Sequence, residues 1–113
     1  MKFLFVHQNF PGQFLHIVRH LIRSEAHEVV FISESNENVI SGVRRVIYRK
    51  PDTPPDATHP GAREFAMALS RADAVAQAAS TLKNLGFVPD IIIGHHGWGE
   101  LLNLQDIFPT SPI

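Results

Sequence analysis

The chain has 113 residues, of which 44% are apolar and 19% charged, and its ten basic and eleven acidic residues give a net charge of −1. This length corresponds to one domain, and a chain this apolar should fold rather than stay disordered. Because the basic excess that binds a phosphate backbone is missing, nucleic acid is not an expected partner. The absence of cysteine excludes disulfides and thiolate metal ligands.

The apolar run near the N-terminus is short. Residues 3–6 are too few for the core of a signal peptide and far too few to span a bilayer. We therefore predict a soluble, cytoplasmic protein with no transmembrane segment.

The first third of the chain reads as a strand, a turn and a helix. Residues 2–7 (KFLFVH) form a continuous apolar run typical of a buried strand, and Gln8 to Gly12 (QNFPG) predict a turn. A helix is expected from Gln13 to Glu25, because its apolar side chains share one face of a helical wheel. These side chains are Phe14, Ile17, Val18 and Leu21.

Two β-branched runs and a proline-rich segment follow. Glu28 to Ser33 and Arg45 to Tyr48 are predicted as strands, separated by the polar stretch of residues 34–42. Residues 51–61 hold four of the eight prolines, which excludes a helix or a central strand and predicts an extended surface loop.

A long helix is predicted from Gly61 to Gly86, with Gly86 as its C-terminal cap. Its apolar stripe would contain Phe65, Leu69, Ala72, Ala76 and Ala79, and Arg63, Arg71 and Gln77 would face away from the sheet.

The last part of the chain predicts a strand, a glycine-rich turn and a helix. Three consecutive isoleucines, Ile91 to Ile93, indicate a central parallel strand buried on both faces. Gly94 to Gly99 would form the turn, and Glu100 to Ile107 a final helix.

The order of these elements predicts one α/β domain over residues 1–113. It is typical of an open, mostly parallel, Rossmann-like sheet with helices on both faces. The strands of Lys2 to His7 and Asp90 to Gly94 should be parallel neighbours. Such sheets bind ligands at the carboxyl ends of their strands, where residues 7–12 and 94–99 would both lie.

The first of these loops could hold an anion on its backbone amides at a helix start, although an ordinary strand-to-helix connection explains the pattern equally well. It matches neither GxGxxG nor GxxxxGK[ST], which argues against dinucleotide and P-loop ATP binding.

The second loop, HHGWGE, is more informative. His95 at a strand end can donate or accept a proton near neutral pH, and glycines let a substrate approach the backbone. Trp98 offers an apolar platform, or simply packs. Glu100 offers a carboxylate, or simply caps the next helix.

A metal site is not expected. His16 and His20 have the i, i+4 spacing of a zinc helix, but they lie on its polar face and lack the glutamate of HExxH. No convergent carboxylate pair and no GxSxG nucleophile turn is present either.

Three stretches of this sequence resemble one known family: KFLFVHQNFPGQF (residues 2–14), THPGAREF (58–65) and FVPDIIIGHHGWGELLNLQDIFP (87–109). In wording and order they are similar to the N-terminal domain of bacterial family 4 glycosyltransferases, which have the two-domain GT-B architecture. The chain departs at His96, where the family usually has proline, so the resemblance implies no role for that histidine.

The resemblance implies a retaining, hexosyltransferase-type transfer from a nucleotide-sugar donor to an acceptor, without a metal or other cofactor. In such enzymes the N-terminal domain mostly holds the acceptor. His95 matches the strand-end histidine that reaches the transferred sugar, and Gly12 matches the loop glycine beside acceptor and donor phosphate. Neighbouring substrate-binding residues implied in the same way are Asn9, Gln13, Trp98 and Glu100.

Because the family's N-terminal domain has further strands and helices, the chain is expected to be an incomplete GT-B N-terminal domain that is inactive alone. A homo-oligomer would cover the open edge of its sheet. Two alternatives stay open: a free-standing α/β ligand-binding or regulatory module, and a small metal-dependent hydrolase using His7, His95 and His96.

Overall fold

The fold is taken from a computed structural model that describes residues 1–52 and 59–113. The proline-rich loop predicted over residues 51–61 falls mainly on residues 53–58, which lie outside the described residues. Pro60 and Gly61, at the end of that range, already belong to a helix.

Four parallel strands form one open sheet in the order β3-β2-β1-β4. The bounds are β1 Lys2–Val6, β2 Glu28–Ser33, β3 Val43–Ile47 and β4 Ile91–Gly94. Phe5 of β1 is in register with Phe31 of β2 and with Ile93 of β4. The predicted parallel pairing of the first and last strands is confirmed. β3 begins two residues before the predicted Arg45, because Val43 and Arg44 already pair with β2, and it ends one residue before the predicted Tyr48.

The helices differ in length from the prediction. A 3-10 turn, Gly12–Phe14, leads into α1, Leu15–Ile22, which ends before the predicted Glu25. The long helix α2 is Pro60–Asn84, and α3 is only Leu104–Ile107. Residues 100–103 form turns instead of helix, and the N–H of Leu102 donates to the carbonyl of Gly99, three residues back, at 3.2 Å.

Two hydrophobic clusters lie on opposite faces of the sheet, so the predicted helices on both faces are confirmed. Because strand side chains alternate between faces, Leu4 and Val6 face α2 and α3 whereas Phe5 faces α1. On the α1 face, Phe14 and Val18 are buried and Leu21 packs against them, as predicted. Ile17 is an exception, since it is 45% exposed.

The predicted apolar stripe of α2 is wrong in its first part. Phe65 is 67% exposed and Leu69 is 41% exposed, whereas Arg71, expected to face away, is buried. The main reason is angle: at about 100° per residue, Leu69 lies about 120° and Phe65 about 80° from the centre of the buried stripe, whereas Arg71 lies within about 40° of it. The helix is also roughly 37 Å long at about 1.5 Å per residue, about twice the length of a strand of five or six residues, so its first part extends past the sheet. The part that packs on the sheet buries Arg71, Ala72, Val75, Ala78, Ala79 and Leu82.

The C-terminal end of α2 is as predicted. Gly86 follows the helix with φ +90, a conformation that favours glycine. Its N–H donates to the carbonyl of Lys83, and the N–H of buried Phe87 donates to that of Leu82, each at 3.0 Å. This pattern satisfies the last carbonyls of the helix.

β4 is an edge strand of the described sheet, so its prediction as a central strand is wrong. Ile92 is buried, but Ile91 and Ile93 are only half-buried because no strand covers their outer side. The N–H of Ile92 donates to the carbonyl of Pro112 at 2.8 Å on this edge.

Candidate functional site

The carboxyl ends of β1 and β4 lie side by side, and the chain leaves them toward opposite faces of the sheet. After β1 it enters α1, and after β4 it turns toward α2 and α3. Such a divergence opens a crevice where α/β sheets bind ligands. His7 and His95 are the first residues beyond the two strands, and their rings meet edge to face with centroids 5.6 Å apart.

The ring of His95 is held by its own loop. The backbone N–H of Gly97 donates to Nδ1 of His95 at 3.2 Å, so the proton of the neutral imidazole lies on Nε2. A Cβ at residue 97 would lie 2.6 Å from Cε1 of that ring, which explains the glycine. His96 stacks on His95 at 5.9 Å but is itself exposed.

His7 is built into the first loop in a similar way. Its Nδ1 lies 2.9 Å from both the amide nitrogen and the carbonyl oxygen of Asn9. Gly12 has φ +55, and a Cβ there would lie 2.9 Å from the same Nδ1. His7 therefore links residues 8–12 to His95. The family resemblance did not single it out, although its strand-end position, equivalent to that of His95, was a usable signal.

The first loop is held in place by Arg45 of β3, a residue that the sequence reasoning missed. Its guanidinium lies 4.1 Å from the ring centroid of Phe10, and it donates to Oγ of Ser33 at 2.9 Å and to the carbonyl of Asn38 at 2.9 Å. Asn36 and Asn38 in turn donate to the carbonyl of Phe10. Burial lowers the pKa of Arg45. This network connects the first loop to β3 and to the segment before it.

The structure separates the expected site residues into two groups. Asn9 and Gln13 are exposed and Gly12 is half-buried, so all three can reach a ligand. Trp98 is 50% exposed, but Glu100 is fully buried. The carboxylate of Glu100 therefore lies in the interior and not on the surface of the crevice.

Glu100 belongs to a polar cluster in the interior, the buried polar cluster, whose other members are Glu34, Tyr48 and Arg71. Arg71 donates through Nη2 to Oε1 of Glu34 at 3.3 Å. Among the described residues, the hydroxyl of Tyr48, Nε of Arg71 and both oxygens of Glu100 have no hydrogen-bond partner. Burial raises the pKa of Tyr48 well above its ordinary value; Glu34 and Glu100 raise it further and Arg71 opposes them.

Two cavities open beside this cluster. One of about 580 Å³ is bounded by Met67 and Ala68 of α2 and by Gly97 and Trp98. The other is about 340 Å³ and reaches Asn9 and Asn36. Both are lined by Gln8, Lys50 and Arg71, so we treat them as one groove, the α2 groove.

Gly99 brings the second loop against α2. It has φ +91, and a Cβ there would collide with the carbonyl oxygen of Ala68. Only glycine fits this contact, which places Trp98 at the wall of the α2 groove. The two predicted loops thus meet at one groove, with Gln8 from the first and Trp98 from the second.

Within residues 1–52 and 59–113, no group of three or more histidine and acidic side chains could hold a metal ion. The hydrolase alternative therefore finds no ligand set in that part of the chain. The helices described in the structure include none long and apolar enough to cross a bilayer.

Comparison with known proteins assigns the family. The sequence model of the glycosyl transferase family 4 group matches residues 25–113. The chain therefore belongs to this family. The matched range includes His95, Trp98 and Glu100 but not the first loop. No curated protein and no solved structure matches the chain.

Proposed function

We propose that this chain is the acceptor-side part of a retaining, nucleotide-sugar-dependent glycosyltransferase. The observation that supports this most is the contact between His7 and His95, which joins the two candidate loops at the crevice between β1 and β4. A histidine with its proton on Nε2 is suited to donate to a sugar hydroxyl or a phosphate oxygen. Family membership supplies the reaction class.

In this proposal His95 is the group that reaches the transferred sugar. Gly12 lies beside acceptor and donor phosphate, and Asn9 and Gln13 offer exposed amides on either side of it. Trp98 supplies an apolar surface for a sugar ring. Glu100, being buried, acts on the position of its loop and not on the substrate.

Transfer also needs a nucleotide-binding partner domain that closes over the crevice. Excluding water and positioning both substrates account for much of the rate of such a reaction. The 113-residue chain alone is therefore expected to bind a saccharide without turning it over.

Substitution of His95 tests this proposal in the complete two-domain enzyme. His95→Ala should lower transfer by roughly 100-fold or more, the usual effect of losing one well-placed polar group in a closed site. His96→Pro is the matched control and should keep nearly full activity, because His96 is exposed. Full activity of His95→Ala would show that His95 only packs, and would contradict its proposed contact with the transferred sugar. Turnover by the 113-residue chain alone would contradict the two-domain requirement.

A further inference from the structure

The lining of the α2 groove is more basic than the rest of the chain. The larger cavity is lined by Lys50, Arg63 and Arg71 against one carboxylate, Glu64. In the whole chain, acidic residues outnumber basic ones by eleven to ten. Glu34 lines the smaller cavity and is paired with Arg71. The two cavities together are thus lined by three basic and two acidic side chains, a net charge of +1 in a chain whose net charge is −1, and the excess lies on the larger cavity.

Arg71 is the unusual member of this set. It is only 6% exposed, yet it lines both cavities of the α2 groove. Glu34 accepts one hydrogen bond of 3.3 Å from Nη2 of Arg71. The buried Nε of Arg71 has no partner among the described residues. Because Arg71 also lines both cavities, its guanidinium is suited to a second, negatively charged partner in the groove.

Trp98 gives the same groove an apolar wall. A half-exposed tryptophan beside a cavity is a common feature of ligand sites, which combine aromatic surface with a few polar groups. The cavity of about 580 Å³ lies within the usual range for small-molecule sites. Lys50 and Arg63 line the same cavity as the indole, so an anionic substituent on a sugar ring bound there would meet them in that cavity.

We propose that the α2 groove binds an acceptor in which a sugar ring carries an anionic group, either a phosphate or a carboxylate. The ring covers Trp98, and the anionic group faces Lys50, Arg63 and Arg71. This inference rests on the proposed acceptor role and adds the chemical class of the acceptor.

Trp98 is the single tryptophan of the chain, so its fluorescence reports directly on the groove. The 113-residue chain would be titrated with glucose, glucose 6-phosphate, glucuronate and inorganic phosphate. We expect one of the two anionic sugars to change the Trp98 emission with an affinity about tenfold or more above that of glucose. Which one does so identifies phosphate or carboxylate as the anionic group. Added salt should reduce this preference.

Two exposed positions make the matched variants. Arg63→Gln should bring the affinity for the anionic sugar close to that for glucose and leave glucose binding unchanged. Arg19→Gln removes the same charge from an exposed position on α1, across the sheet, and should have no effect. Lys50→Gln repeats the test on the other wall of the groove, and circular dichroism checks that each variant folds.

Equal affinity for glucose and both anionic sugars would overturn the inference but leave the acceptor role standing. An unchanged preference in both Arg63→Gln and Lys50→Gln would also overturn it. Binding of inorganic phosphate as tight as that of glucose 6-phosphate would show that the sugar ring contributes nothing, and would overturn the inference. No response to any of the four compounds would overturn the inference, whereas the proposed function is decided by the separate transfer assay of His95→Ala.

Discussion

The two parts of α2 differ in what they face. Residues 71–82 pack on the sheet and bury Val75, Ala79 and Leu82 completely. Residues 60–70 extend past the sheet and form a wall of the α2 groove through Met67 and Ala68, with no fully buried side chain. One continuous helix thus serves the core with one part and the candidate site with the other. Arg71 lies at the boundary and belongs to both.

The largest effect should come from the packed part. Leu82 is completely buried in the cluster between α2 and the sheet. Leu82→Ala is expected to lower the free energy of unfolding by about 2 to 5 kcal/mol, through lost apolar burial and the cavity left behind. Urea denaturation measures this difference. A change below about 1 kcal/mol would mean that this part of α2 does not carry the core.

A second prediction concerns Glu100 of the buried polar cluster, which has no hydrogen-bond partner among the described residues. Leaving a carboxylate unpaired in the interior costs free energy. Glu100→Gln keeps the shape and removes the charge, so it should raise the free energy of unfolding by about 1 to 3 kcal/mol near neutral pH. Denaturation of the two proteins in parallel decides the matter. A destabilised variant would show that the carboxylate has a charged partner.

Tyr48 belongs to the same buried polar cluster, and its burial predicts that the free energy of unfolding depends on pH. Its pKa is raised in the folded state, mainly by burial. The unfolded chain loses the phenolic proton near pH 10, whereas the folded chain keeps it. Above pH 10 the unfolded state therefore binds fewer protons, and the free energy of unfolding should fall by on the order of 1 kcal/mol per pH unit.

Because Tyr48 is the single tyrosine, its ultraviolet absorbance isolates this effect. Phenolate should appear near pH 10 in urea and only at higher pH in the folded chain. Tyr48→Phe is the control and should lack this part of the pH dependence. Phenolate forming at the same pH in both states would contradict the burial of the hydroxyl.

The smallest effect should come from the projecting part. Leu69 is the same residue type as Leu82 but is 41% exposed. Leu69→Ala should lower the free energy of unfolding by less than about 1 kcal/mol, as expected for a surface position. The ratio of the two Leu→Ala effects, from the same urea experiment, compares an exposed position of the first part with a buried position of the second. Equal losses of unfolding free energy at Leu69 and Leu82 would contradict the difference in burial between the two positions.

The sequence predicted the sheet more accurately than the helix packing. Strand positions follow from short apolar runs such as those of β1 and β2, and the pairing of β1 with β4 follows from the helical crossover between them. The end of α2 was readable because Gly86 supplies a positive φ that few other residues adopt. Phe65 and Leu69 were misplaced because the predicted stripe was centred about 80° away, around the helix axis, from the stripe that the structure buries through Arg71, Val75 and Leu82.

The candidate site shows the same division. His95, Trp98 and the first loop were identified from strand ends and glycines, which are local signals. The contact of His7 with His95, the burial of Glu100 and the role of Arg45 depend on residues far apart in the chain. No periodicity in the sequence reports such distances.

The sequence by itself determined the fold class, the strand and helix order, the two loops at the carboxyl ends and the family resemblance. These depend on local propensity and on motifs that can be recognised in one stretch of chain. Only the tertiary structure decided that Arg71 is buried against Glu34, that Glu100 lies inside and that Lys50 and Arg63 share a groove with Trp98. These features result from the strand lengths, the sheet order and the closest approach of Gly99 to Ala68, which are properties of the packed chain as a whole.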